Sequence, residues 1–251
     1  MTAIVGVYCN NGAVIGMDSS TTFSHGQFST IEQQTEKLVV IDGKIIVAGT
    51  GSVGAGQRFN QIVEETWRKK LLSGKTFIDA GKILSKAAIE DFQSTYLKHG
   101  SYGSLVAFPL GQDYHLCEFD ISTFQPEFKN NNIRFCSMGS TQPITDPFLA
   151  FIREIFWTDG LPSINDAIFA VTWTLDHAIS VNPGGVNGPV RIAVLEKNTK
   201  KEFSARILTD AELGEHRENI EELKQKMREF TQPYVSDSKI ESSPTPPIIQ
   251  K

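Results

Sequence analysis

Short apolar runs and turn residues alternate regularly over the first 49 residues. Runs at residues 3–9 and 13–17 flank Asn10-Asn11-Gly12, and runs at 37–41 and 44–48 flank Asp42-Gly43. An Asx-Gly pair between two such runs is a strong hairpin signal, so two antiparallel hairpins are predicted. The runs IVGV, AVIG, LVVI and IIVA are nearly continuous, as in strands covered on both faces. The following segments supply the cover. Phe59, Ile62, Val63 and Trp67 recur at helical intervals within residues 53–72, and Ile83, Leu84, Ala87, Ala88 and Phe92 do so within 78–97.

Strand patterns return at residues 104–109, 114–119 and 133–138, followed by helical ones at 146–157 and 164–179. A last strand pair, 190–196 and 202–207, precedes a helix over 210–230 that Thr209 and Glu212 open as a capping box. Strands, two helices, strands, two helices and strands predict an α+β fold, a four-layer αββα sandwich of two antiparallel sheets with a helix pair on each outer side. The expected organisation is one domain over residues 1–208, a charged helix over 209–230 and a Ser/Pro-rich disordered tail over 231–251.

Composition narrows the function classes. The net charge of -5 and the scattered Lys and Arg give no basic footprint, which disfavours nucleic acid. Three cysteines, Cys9, Cys117 and Cys136, lack CxxC spacing and fit a reducing cytoplasm better than a disulfide framework or a zinc site. No apolar run approaches the length of a membrane span, and MTAIVGVYCNNG lacks the charged n-region and long h-region of a signal peptide. A cytoplasmic protein is expected, with loss of Met1 as its only processing.

Most motif candidates fail on context. Gly49-Thr50-Gly51-Ser52-Val53-Gly54 matches GxGxxG, but a dinucleotide site needs a parallel strand after the helix, and here a second helix follows. Gly74-Lys75-Thr76 has lysine at position 69 where a phosphate loop needs glycine. The five histidines include no HExxH and no i, i+4 pair, and no GxSxG marks a serine nucleophile. His177 could act as a base, although its apolar helix favours a structural role.

Thr2 carries a different chemistry. Once Met1 is removed, one residue holds both a hydroxyl nucleophile and an α-amine base; otherwise Thr2 merely starts a strand. Such a hydroxyl needs a proton acceptor and a lysine whose charge is held. Asp18, after the strand AVIGM, and Lys37, opening KLVVI, would meet this need if their strands lie beside the first.

MTAIVGV, NNGAVIGMDSSTT, EKLVVIDGKIIVAGTG and CSMGSTQP together resemble the proteasome β-subunit family of N-terminal-nucleophile hydrolases, and within it the betaproteobacterial homologues. The resemblance covers most of residues 1–207. It implies Thr2 as nucleophile, Asp18 orienting Lys37, Gly49 as oxyanion donor, Thr22 along the substrate backbone, Val47 lining the specificity pocket and Ser140 near the amine. Thr141 replaces the second glycine of the family's GSG, and the loop between Asp18 and Lys37 is longer than usual. NPGGVNG occupies the stretch of the late aspartate and SGG, with Asp176 the candidate counterpart. The implied activity is a self-compartmentalising threonine endopeptidase acting on polypeptides, with no cofactor and no metal. Its implied assembly is a homo-oligomeric ring or double ring; an ATP-dependent unfoldase is a candidate partner whose presence the sequence leaves open. A weakly active ring subunit and an amidase acting on a small amide are the alternatives.

Overall fold

The structure is a computed structural model that describes residues 1–236 except 26, 27, 99, 159, 183 and 199–201. Its first two strands, β1 (Ile4–Tyr8) and β2 (Gly12–Met17), pair antiparallel from Ile4↔Met17 to Tyr8↔Ala13. After a separate hairpin of β3 (Ser20–His25) and β4 (Phe28–Gln34) come β5 (Leu38–Ile41) and β6 (Ile45–Gly51). Asp42 at φ 49° and Gly43 at φ 60° supply the left-handed pair that a tight hairpin turn demands.

Helices α1 (Val53–Arg68) and α2 (Phe77–Ser94) follow, then β7 (Tyr102–Leu110), β8 (Asp113–Phe119), β9 (Pro126–Phe128) and β10 (Phe135–Met138). Helices α3 (Gln142–Phe156) and α4 (Ile164–Val181), strands β11 (Arg191–Lys197) and β12 (Phe203–Ile207) and helix α5 (Asp210–Ser236) complete the order. One five-stranded sheet runs β10-β1-β2-β11-β12 and the other β5-β6-β7-β8-β9. All their neighbours are antiparallel.

Strand alternation distributes the apolar side chains into three layers. Ile4, Ile15 and Met17 face Leu38, Ile46 and Leu105 between the sheets. Val5, Val7 and Val14 turn outward onto Leu149, Val171 and Leu175 of α3 and α4. On the other side Ile45, Val47 and Val106 pack on Phe59, Val63 and Leu84 of α1 and α2. Each such side chain contributes roughly 1.5–3 kcal/mol by leaving water, and together the layers make the four-layer αββα sandwich.

The strand that follows α1 and α2, β7, lies antiparallel to β6, so the GxGxxG stretch has no βαβ context. Ser52 caps α1 by accepting from the Ala55 N–H at 3.4 Å. Thr209 and Glu212 form the predicted box, with N–H donations at 2.8 and 3.3 Å.

Four details depart from expectation. Residues 20–25 and 28–34 pair as β3 and β4 rather than lying in an open loop, and β9 adds an edge to the second sheet. Helix α3 begins at Gln142, before residue 146, because Thr141 accepts from the Ile144 and Thr145 N–H groups at 2.8 and 2.9 Å. Helix α5 continues through Ser236 rather than ending at Phe230. The rest of the predicted tail, 237–251, lies outside the described residues. Among those described, no helix is long and apolar enough to cross a membrane.

Candidate functional site

Thr2 sits two residues before β1 and is 8% exposed. Strand β1 is flanked by β2 and β10, so residues leaving those two strands bracket it. On the β2 side the Asp18 N–H donates to the Ala3 carbonyl at 3.2 Å, extending the hairpin register past Met17. On the β10 side Gly139, at φ +98°, turns the chain so closely that a Cβ there would stand 2.2 Å from the Thr2 carbonyl oxygen. Only glycine suits that turn.

This turn delivers Ser140. Its Oγ accepts from the Thr2 nitrogen at 3.1 Å and reaches toward the Thr2 carbonyl at 3.5 Å. With Met1 attached, that nitrogen is a peptide N–H standing where the α-amine would be. The Thr2 hydroxyl donates to the Met1 carbonyl at 2.8 Å, so Met1 engages both the nitrogen and the hydroxyl of Thr2. Behind Ser140, Thr145 donates to Ser137 at 2.7 Å, and Ser137 donates to Asp146, tying β10 to the first turns of α3.

Asp18 is fully buried. Its carboxylate accepts from the Ala3 and Ser20 N–H groups at 2.9 Å each, and from Lys37 Nζ at 3.0 Å on both oxygens. Lys37 Nζ also donates to the Ser20 carbonyl at 2.6 Å. Burial holds the Lys37 ammonium below the ordinary lysine range despite the opposing pull of Asp18, so Lys37 gives up its proton more readily than a solvated lysine. Lys37 does not come from a strand beside β1, as the sequence suggested. It precedes β5 in the facing sheet and reaches Asp18 across the sandwich.

These residues open onto a cleft of about 470 Å³ that Met1, Thr2, Thr22, Lys37, Gly49 and Ser140 help to line. Strand β6 pairs with β5 only as far as Ala48 but with β7 as far as Gly51. Among the described residues, the backbone of 49–51 therefore has one edge without a strand partner where it borders the cleft. Among the described residues the buried Thr22 Oγ1 has no hydrogen-bond partner, and a Cβ on Gly185 would lie 3.2 Å from it. The NPGGVNG loop thus approaches the same end of the cleft. Glu32 fastens that loop to β3 by accepting from Asn187 and Ser20, and these two bonds hold its carboxyl below the usual range.

Thr2, Asp18, Lys37, Ser140, Gly49 and Thr22 therefore converge. Val47 does not: it shares the α1 face of β6 with Gly49 but lies deeper, 1% exposed and packed beneath α1 and α2 with Phe59 and Val63. Asp176 is also elsewhere, on α4 in an ion pair with Arg217 of α5 at 2.8 Å. His177 stacks on Phe148 at 4.4 Å and 19°, a packing role. Sequence reasoning missed Tyr102, Gln57 and Asn60, which form the far wall of the cleft. Glycines at 49 and 56 are the sole local sign of the space Tyr102 fills.

Comparison with known proteins agrees with this architecture. The fold is similar to the Gly-1 mutant of Anbu from Hyphomicrobium sp. strain MC1, at TM-score 0.68 and 14% identity, over 92% of this chain and 100% of that one. It is also similar to Anbu, an ancestral β-subunit, from Yersinia bercovieri, at TM-score 0.66 and 13% identity, over 92% and 97%. No curated protein matches the sequence. The family model described as proteasome subunit matches residues 2–150, more than half of the 251 residues. The chain belongs to the proteasome subunit family.

Proposed function

We propose that this protein is a threonine-type peptidase that becomes competent when Met1 is removed and that works inside a homo-oligomeric ring. The observation that carries the reading is that Lys37, paired with the buried Asp18, lines the same cleft as Thr2 and Ser140. A fixed cation beside a hydroxyl favours its ionised form.

After Met1 is cleaved, the Thr2 Oγ attacks the peptide carbonyl carbon and its proton passes to the α-amine, with Ser140 holding that amine in position. The oxyanion that forms is stabilised by a backbone N–H at Gly49; donors of this kind are worth roughly 3–4 kcal/mol of barrier. The protonated amine then gives its proton to the leaving nitrogen, leaving an ester on Thr2. Water, deprotonated by the same amine, attacks the ester and restores the hydroxyl. The unpaired backbone edge at residues 49–51 and the Thr22 hydroxyl are available to bind an extended substrate.

Intact mass of the purified protein should show loss of Met1, and a threonine-directed epoxyketone should add once to residue 2. Thr2→Ala should abolish peptide turnover and adduct formation while leaving the assembly unchanged by electron microscopy. Turnover by the Thr2→Ala protein would reject the proposal.

A further inference from the structure

We infer that Tyr102, a β7 residue, sets the size of the substrate side chain that precedes the scissile bond, limiting it to short ones; this rests on the peptidase reading above. Gly49 and Gly56 mark the space involved. A Cβ on Gly49 would fall 2.4 Å from the Tyr102 hydroxyl, and one on Gly56 would fall 3.1 Å from its ring. The ring thus occupies the volume that side chains at both positions would take, between the end of β6 and the first turn of α1.

It cannot readily swing away. Tyr102 is 5% exposed and sits among Phe59, Phe92 and Phe124, with ring centroids at 5.9, 6.1 and 6.0 Å. Close-packed aromatic groups of this kind hold one rotamer. Burial also pushes its hydroxyl pKa up to about 12, so the group stays neutral in the working pH range and acts by bulk.

A substrate acylating Thr2 along the free edge of residues 49–51 directs alternate side chains to opposite faces of that edge. The face toward α1 is closed by Tyr102. Val53, Gln57 and Asn60 bound the remaining space, which suits glycine, alanine or serine and excludes an aromatic ring.

The test compares fluorogenic peptides that differ only in alanine or phenylalanine before the scissile bond, using the assembled, Met1-free protein. Steric discrimination of this kind spans roughly 10–200-fold. The natural protein should favour alanine in kcat/KM by at least about tenfold. Tyr102→Ala should reduce that ratio by a similar factor, and Tyr102→Phe, which keeps the ring, should retain it. Tyr102→Leu carries the comparison if Tyr102→Ala does not fold. An unchanged ratio in the alanine or leucine variant, with turnover and the epoxyketone adduct intact, overturns the role of Tyr102 and leaves the peptidase reading standing. Absence of both turnover and adduct in the natural, Met1-free protein overturns that reading and this inference with it.

Discussion

At the scale of single residues, substitutions at Asp18 and Lys37 separate the structural task of the pair from the chemical one proposed above. Asp18 has no exposed surface and Lys37 is 13% exposed at its side chain. Removing one partner of a buried pair costs about 3–5 kcal/mol, because the other charge stays behind without compensation. Asp18→Ala should therefore lower the unfolding free energy by about that amount in urea titration. Lys37→Arg is the more informative change. Arginine keeps the charge and can still pair with Asp18, yet it does not titrate. If the burial-lowered pKa of Lys37 matters because its proton moves, turnover should fall roughly 10²–10⁴-fold with most of the stability retained. Full activity in Lys37→Arg would show that a fixed charge suffices.

Among the elements, the turn from β10 into α3 governs whether Ser140 reaches Thr2. Gly139→Ala adds a Cβ at φ +98°, 2.2 Å from the Thr2 carbonyl oxygen, so the turn must move. Strain of this kind costs on the order of 1–3 kcal/mol. The expected outcome is a folded protein with a modestly lower Tm and with turnover and adduct formation reduced at least about tenfold, since misplacement by an ångström is costly in catalysis. Unchanged adduct kinetics would detach Ser140 from the nucleophile. The elements themselves were largely legible in the sequence, because their apolar runs are continuous and their turns carry Asx-Gly signals. Residues 20–34 were not, because Ser, Thr and Gln dominate them and their pairing forms a separate two-stranded sheet. In the site, Asp18 was legible because it leaves a strand beside β1, and Ser140 only through the family resemblance, since nothing local announces that β10 flanks β1. Lys37 was legible as a residue but not in its route, which crosses from the facing sheet. Val47, carried over from the resemblance, and Tyr102, which was missed, share one cause: how far the helix packed on a strand face covers each residue of it is recorded by no local pattern.

Across the whole molecule, three histidines among the described side chains are half-buried on elements that hold the outer helices to the sheets. His115 of β8 stacks on Phe77 of α2 at 5.3 Å, His177 of α4 stacks on Phe148 of α3, and His216 lies on α5. Burial is the main cause that lowers each pKa below 6.5. Asp113 opposes it at His115, Glu215 and Glu212 oppose it at His216, and Lys224 reinforces it at His177. The unfolded chain therefore takes up these protons before the folded one does. Their contribution to stability is complete above pH 6.5 and drains away as pH falls from 6.5 toward the lowered folded values. The carboxylates with lowered pKa, such as Glu32 and Glu212, have ordinary values near 4.5 and lose their contribution only below that, so the interval from 6.5 to 5.5 reports mainly on the histidines. Tm measured at constant protein concentration should fall between pH 7.5 and 5.5. A His115→Gln, His177→Gln double variant should show a flatter profile, because two of the three histidines with a lowered folded-state pKa are gone. A steep profile that survives the double variant would move the acid sensitivity to His216 or to contacts between subunits, and a flat profile in the natural protein would show that the helix layers tolerate charged imidazoles.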